Sequence, residues 1–227
     1  MGVLGELIPV AVGLAMLGVM PMIAAVVLMS SDNGAGKAWA FASGYYLALV
    51  AVTLLLVAIG QQVDQGQSES TISTTDSVIQ IVLGIVLLAL SYRNFRKRDP
   101  GSTNDSSPGW LKKVDKVSVP TAFGLGFTAG AVNPKNLALI PGAAITIIAA
   151  DLTTVGIIST SALFALVGTC GVAIPLLIPL VAGDRKDELL ASLRDWLTRN
   201  TAVIMMVLLF ILGWILIGRG ISGLGSL

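Results

Sequence analysis

The tetrad Asn133-Pro134-Lys135-Asn136 sets two amides and a cation around a proline, inside a stretch that is otherwise apolar. Proline has no N–H, so it leaves a backbone carbonyl without its helical partner. In hydrocarbon such a carbonyl must find protein, water or a bound molecule. A lysine near the centre of a membrane helix costs about 2.5–3.5 kcal/mol on insertion scales, which makes Lys135 a functional candidate. Three roles suit it: holding an anionic group of a substrate, titrating as a proton-coupling residue, or pairing with an acid from another span. No Asp or Glu lies in the middle of a predicted span, and Asp32, near the end of the first, is the best candidate for such a pair. Snorkelling is the purely structural alternative, and it needs an interface within reach of the side chain. Asn133 and Asn136 would add neutral donors and acceptors beside the opened backbone.

These residues act only if a membrane surrounds them, and the composition calls for one. Of the 227 residues 55% are hydrophobic and 12% charged, with a mean hydropathy of +0.87, whereas soluble domains carry about 25% charged residues. A net charge of +1 with no basic domain argues against nucleic-acid binding. Cys170 is the single cysteine and histidine is absent. A disulfide, a thiol-redox pair, a zinc site and haem are therefore not expected, and no cofactor is. There is no nucleotide-binding motif, and apart from Lys135 no charged residue falls in the middle of a span, so the chain does not read as an enzyme. Met1–Val10 has no basic segment ahead of its apolar run and reads as the start of a span rather than a cleaved signal.

A membrane helix needs about 17–25 apolar residues. Six candidate spans satisfy this approximately: Leu7–Ser30, Trp39–Gly60, Asp76–Tyr92, Pro120–Ala150, Thr153–Val181 and Thr201–Gly218. The fourth is too long for one straight helix and is interrupted. Basic residues orient the set. Seven lie in 93–119, four in 182–200, and Lys37 in the first connection, while Gln61–Thr75 has none. Placing both termini outside puts these twelve on the cytoplasmic face, with Arg219 outside and Lys135 within a span. The expected protein is an all-α, multi-pass protein of the bacterial inner membrane.

The chain then divides into a three-span half at 1–92, a basic connection at 93–119 and a second three-span half at 120–227. An odd number of spans per half makes the halves inverted. Gly13–Pro21 aligns without gaps on Gly126–Pro134, matching the glycines, Val19 with Val132, and Pro21 with Pro134. Interrupted helices at corresponding positions of two halves point to a transporter's binding site. Pro21 is thus read equally as a simple kink and as a second wall of that site.

Several features carry structural readings. Ala122, Gly126 and Gly130 recur at every fourth residue, which allows a second helix to approach closely, within the chain or across a dimer. Cys170 reads as a core residue, and Pro175 and Pro179 predict a kink or break in the fifth span. Apolar residues at helical spacing in Trp110–Val117 and Asp184–Asn200, with Asp184 as N-cap, predict interfacial helices or docking surfaces. Asp99–Gly109 reads as a flexible linker. Asp32 and Asn33 either form a substrate access point from the cytoplasm or an ordinary turn within Ser31–Gly36.

At Asn133–Lys135 and Val19-Met20-Pro21 the sequence resembles the lysine-exporter (LysE) superfamily of small efflux proteins, which carry about six spans and an Asn-Pro-Lys signature in the fourth. The continuation to Leu139, with Lys37–Gly44 opening the second span, is similar to one branch in particular: the actinobacterial GAP family of peptidoglycolipid- or sulfolipid-addressing proteins. Many superfamily members have a fuller Pro-Gly-Pro signature in the first span, where this chain has Pro21 alone, which weakens any inference to amino-acid substrates. The resemblance implies movement of glycolipids, or of small solutes tied to their synthesis, across the inner membrane by a homodimer. The expected mechanism is proton-driven alternating access, with Asn133, Pro134, Lys135 and Asn136 facing Pro21. The alternative is an accessory protein serving a larger lipid-export machine.

Overall fold

The computed structural model of the chain describes residues 2–16, 18–64, 74–96 and 117–225, and every regular element among them is helical. In order these are α1 (Gly2–Met16), α2 (Val19–Met29), α3 (Gly34–Asp64), α4 (Thr74–Arg96), α5 (Val119–Ala131), α6 (Pro134–Ala149), α7 (Thr154–Ala182), a short 3-10 turn (Gly183–Arg185) and α8 (Lys186–Gly225). Two stretches, Gly34–Gln62 and Thr154–Leu197, are long and apolar enough to cross a membrane by themselves. Two more become spans if α1 with α2, bent by 56°, and α5 with α6, bent by 45°, each count as one broken crossing. Large apolar side chains such as Trp39, Leu55, Ile145, Val155, Leu180 and Val181 point outward, as expected of a surface solvated by lipid rather than water.

Two compact units divide the chain. One comprises Met1–Gln65 with Asp105–Thr198, and the other Gly66–Asn104 with Arg199–Leu227. In the second unit α4 and the end of α8 run antiparallel. Gly84 and Gly213 face each other's backbone, and Ser91 Oγ donates to the Met206 carbonyl at 2.7 Å. The predicted third and sixth spans lie here, where Gly84–Arg93 and Leu209–Ser222 are shorter apolar stretches.

The first unit contains the motif. Helix α2 is apolar on all sides and correspondingly enclosed, with Val19, Pro21 and Ile23–Leu28 buried. Helices α3 and α5 pack along the small-residue face predicted from sequence: Ala122, Gly126 and Gly130 are all buried. A Cβ on Gly126 would collide with the Phe41 carbonyl. One on Gly130 would come within 2.7 Å of Ala48 Cβ and 2.8 Å of the Tyr45 carbonyl. Between the two open readings of this face, the structure uses it inside the chain. Ser118 starts α5 as an N-cap, accepting from Thr121 N–H, with Pro120 in the first turn where its missing N–H costs nothing.

Four expectations are corrected. Of the kink or break expected at Pro175 and Pro179 the break is absent: helix α7 runs unbroken through both and ends only at Gly183, whose φ of +52° suits glycine. Asp184 lies inside the 3-10 turn rather than at an N-cap, and the predicted interfacial segment continues into one helix, Lys186–Gly225. Leu190 and Leu197 of that segment are buried while Leu189 and Trp196 face outward. Cys170 is exposed rather than in the core, its thiol lying 3.4 Å from the Leu166 carbonyl. The reason is rotational: Gly168, Thr169, Gly171 and Val172 take the inner face of α7. Cys170→Ala is accordingly expected to change stability by less than about 0.5 kcal/mol, as at other outward positions, and thermal unfolding in detergent checks this. Trp110–Lys116 and the Asp99–Gly109 linker lie outside the described residues.

Candidate functional site

The first break is made by Gly18. It caps α2, and its N–H donates to the Ala15 carbonyl at 3.3 Å instead of reaching back four residues. The Leu14 carbonyl therefore loses the partner that a continuous helix would supply. Pro21 does not open the backbone from within, as its sequence position suggested. It is the third residue of α2, in the first turn, where no helical N–H is required. The break precedes the proline instead of following from it.

The second break has the same logic. Helix α5 ends at Val132, whose N–H returns to the Thr128 carbonyl. Asn133 is extended, with φ −68° and ψ 123°, and its Oδ1 accepts from Lys135 N–H at 3.2 Å, capping α6, which Pro134 begins. Because Pro134 cannot donate, the Gly130 carbonyl is orphaned. Asn136 repairs this: its Nδ2 donates to that carbonyl at 2.7 Å, and its amide also meets the Tyr45 hydroxyl at 3.3–3.4 Å. Asn136 and Tyr45 are fully buried. Asn136 thus spends its hydrogen bonds inside the protein. Asn136→Leu is expected to cost about 1–3 kcal/mol by leaving a buried carbonyl unpaired. The loss should be non-additive with Tyr45→Phe in a thermal-stability double-mutant cycle, since the two share one network.

Lys135 joins the two breaks. Its Nζ donates to the Leu14 carbonyl at 2.6 Å, the one acceptor within hydrogen-bond reach among the described residues. That carbonyl lies in the last turn of α1, where the helix dipole presents partial negative charge toward the amine. Gly18 makes room for it, because a Cβ there would stand 3.3 Å from Nζ. The ammonium of Lys135 is thus held by backbone. Asp32, the sequence's best acid for it, is exposed in the turn beyond the far end of α2, a helix of 11 residues, or roughly 16 Å. That turn closes α2 onto α3 with Asn33 at φ 53° and Lys37 Nζ donating to Ser31 Oγ at 3.3 Å. Lys37, counted with the connection in the sequence, belongs to α3 and is buried.

Beside the breaks is a cavity of about 240 Å³ between α2, α3 and α5, lined by Met20, Pro21, Ala24, Leu28, Phe41, Leu125, Thr128, Ala129 and Asn133. The sequence-predicted pair Pro21 and Asn133 therefore share one wall, with Lys135 bonded through its backbone to the latter. Three participants escaped the sequence reading. Gly18 and the Leu14 carbonyl carried no side-chain signal, and Tyr45 was indistinguishable from its neighbour Tyr46. Only the rule that a buried tyrosine hydroxyl seeks a partner could have raised Tyr45. Among the described residues no group of three or more Cys, Asp or Glu could hold a metal ion.

A family model described as "Sap, sulfolipid-1-addressing protein" matches residues 7–222. Comparison with curated proteins and with solved structures gives no match.

Proposed function

Because the chain belongs to the sulfolipid-1-addressing protein family, we propose that it is a secondary-active exporter of a sulfolipid or related glycolipid. On this reading it sits in the bacterial inner membrane, with six spans, both termini outside and two inverted halves. A lipid-related role at a membrane follows from the family and the apolar helices; the transport cycle is the proposal. The observation that carries it is the Lys135–Leu14 bond, in which a membrane-depth cation rests on a broken helix end instead of an acid.

In the cycle, Lys135 exchanges the Leu14 carbonyl for an anionic group on the substrate, and Asn133 supplies a neutral hydrogen bond beside it. Asn136 holds the second break rigid while this happens. Substrate release returns the ammonium to Leu14, and the proton gradient drives the return. No enzymatic step is involved and no nucleotide is hydrolysed. The superfamily of lysine exporters, with its Asn-Pro-Lys signature, supplies the analogy for alternating access between the halves, and a homodimer is its expected assembly.

The test is transfer of a sulfated glycolipid across vesicles containing only the purified protein, with and without an imposed pH gradient. Gradient-dependent transfer abolished by a protonophore is expected. No transfer under either condition, together with stable co-purification of a larger transport protein, would overturn the exporter reading in favour of an accessory role in a lipid-export machine.

A further inference from the structure

The cavity beside the breaks is more specific than a generic site. Seven of its nine lining residues are apolar; of the two polar ones, Asn133 closes the end next to Lys135, while Thr128 lies part-way along α5 with its hydroxyl donating to the Gly124 carbonyl. It extends along α2 from Met20 to Leu28 and along α5 from Leu125 to Asn133, about 12 Å in each case. A volume of about 240 Å³ spread over that length makes it a narrow slot rather than a rounded pocket. The volume also falls below the roughly 300–1,000 Å³ that encloses a whole small ligand. Leu125 and Thr128 are exposed on the outer face of α5, so the slot is reached from the side of the bundle.

We infer that this slot takes one alkyl chain of an anionic lipid, entering laterally past Leu125 and Thr128, while the lipid's sulfate or other anionic headgroup draws Lys135 off the Leu14 carbonyl. Charge complementarity selects the occupant. Lys135 Nζ has one acceptor among the described residues and lies beside Gly18, two residues before Met20, while Lys135 itself follows Asn133 by two residues, so the cation stands just beyond the Met20–Asn133 end of an otherwise apolar slot. The inference rests on the exporter reading for its direction: the headgroup leads toward the outer side and the chain trails along α2 toward the cytoplasm. A free anion would leave the slot empty, and a neutral lipid would leave the cation on its carbonyl.

The experiment uses the full chain in phosphatidylcholine vesicles with hexadecyl sulfate carrying a mid-chain diazirine. Photolysis is expected to label Met20–Leu28 and Leu125–Ala129, and excess unlabelled hexadecyl sulfate should compete where sodium sulfate does not. Ala129→Phe, which fills the slot from a partly exposed position, is expected to reduce labelling about tenfold, the equivalent of about 1.4 kcal/mol. Lys135→Met should keep the labelled positions but abolish the preference for hexadecyl sulfate over hexadecanol. Labelling spread over the outer faces of α7 and α8, labelling unchanged by a folded Ala129→Phe, or displacement by sodium sulfate alone would each overturn the inference. If Ala129→Phe fails to fold, the label map on the native chain decides by itself. Slot labelling without vesicle transfer would refute only the exporter reading, and transfer without slot labelling only this one.

Discussion

Replacing Lys135 with methionine is expected to lower lipid transfer roughly 10- to 150-fold, the equivalent of the roughly 1.5–3 kcal/mol that a hydrogen bond to a charged group contributes. Methionine keeps much of the side chain's length and apolar stem but can neither hold an anion nor bond the Leu14 carbonyl. Stability separates this outcome from a merely structural role. If the Lys135–Leu14 bond serves only to staple α1 to α6, the substitution should lower the unfolding temperature in proportion to the lost activity. If Lys135 is held for a substrate, removing a costly membrane cation should leave the unfolding temperature unchanged or raise it. Transfer that survives in a well-folded Lys135→Met protein would remove the tetrad from the site and leave it as a packing feature. Gly18→Val should mimic part of the loss, because its side chain would occupy the space 3.3 Å from Nζ.

Gly126→Leu is expected to cost about 3 kcal/mol or more, at the upper end of overpacking penalties. The atoms met by a Cβ there are the Phe41 carbonyl and its neighbouring backbone, which cannot rotate away. Gly124 on the same helix is the control. A Cβ at that position meets nothing within 4 Å, so Gly124→Ala should stay within about 0.5 kcal/mol of the parent. Urea or thermal unfolding in detergent distinguishes the two, and size-exclusion chromatography adds a second readout. Loss of the folded state is expected, because the face joins α3 to α5; a Gly126→Leu protein that unfolds and elutes as the parent does would contradict that contact.

The helix breaks and the lysine beside them were legible because membranes penalise such residues. A lysine and a proline in a long uncharged run announce themselves by cost, and both predicted interruptions exist, between α1 and α2 and between α5 and α6. Capping was partly legible too, since Asn133 ahead of Pro134 is an N-cap followed by proline at the first helical position. The side of a helix that faces inward was harder to read. Cys170 was placed in the core by residue type, yet a helix flanked by lipid has no polar face to mark its outside, so an apolar-rich sequence carries little rotational information. Pro175 and Pro179 do not end their helix, because in a membrane helix neighbouring groups can satisfy the freed carbonyls.

What the sequence determined by itself was the class of protein and the two broken helices, because each follows from the free energy of placing particular residue types in hydrocarbon. What only the tertiary structure decided was who partners whom. Lys135 rests on the Leu14 carbonyl and not on Asp32, Asn136 repairs the Gly130 carbonyl that Pro134 orphans, and Pro21 and Asn133 line the same apolar slot. The Leu14 and Gly130 carbonyls are backbone groups, identical at every residue and so invisible in a list of side chains. They become special only where a break frees them and the fold brings a donor from far along the chain.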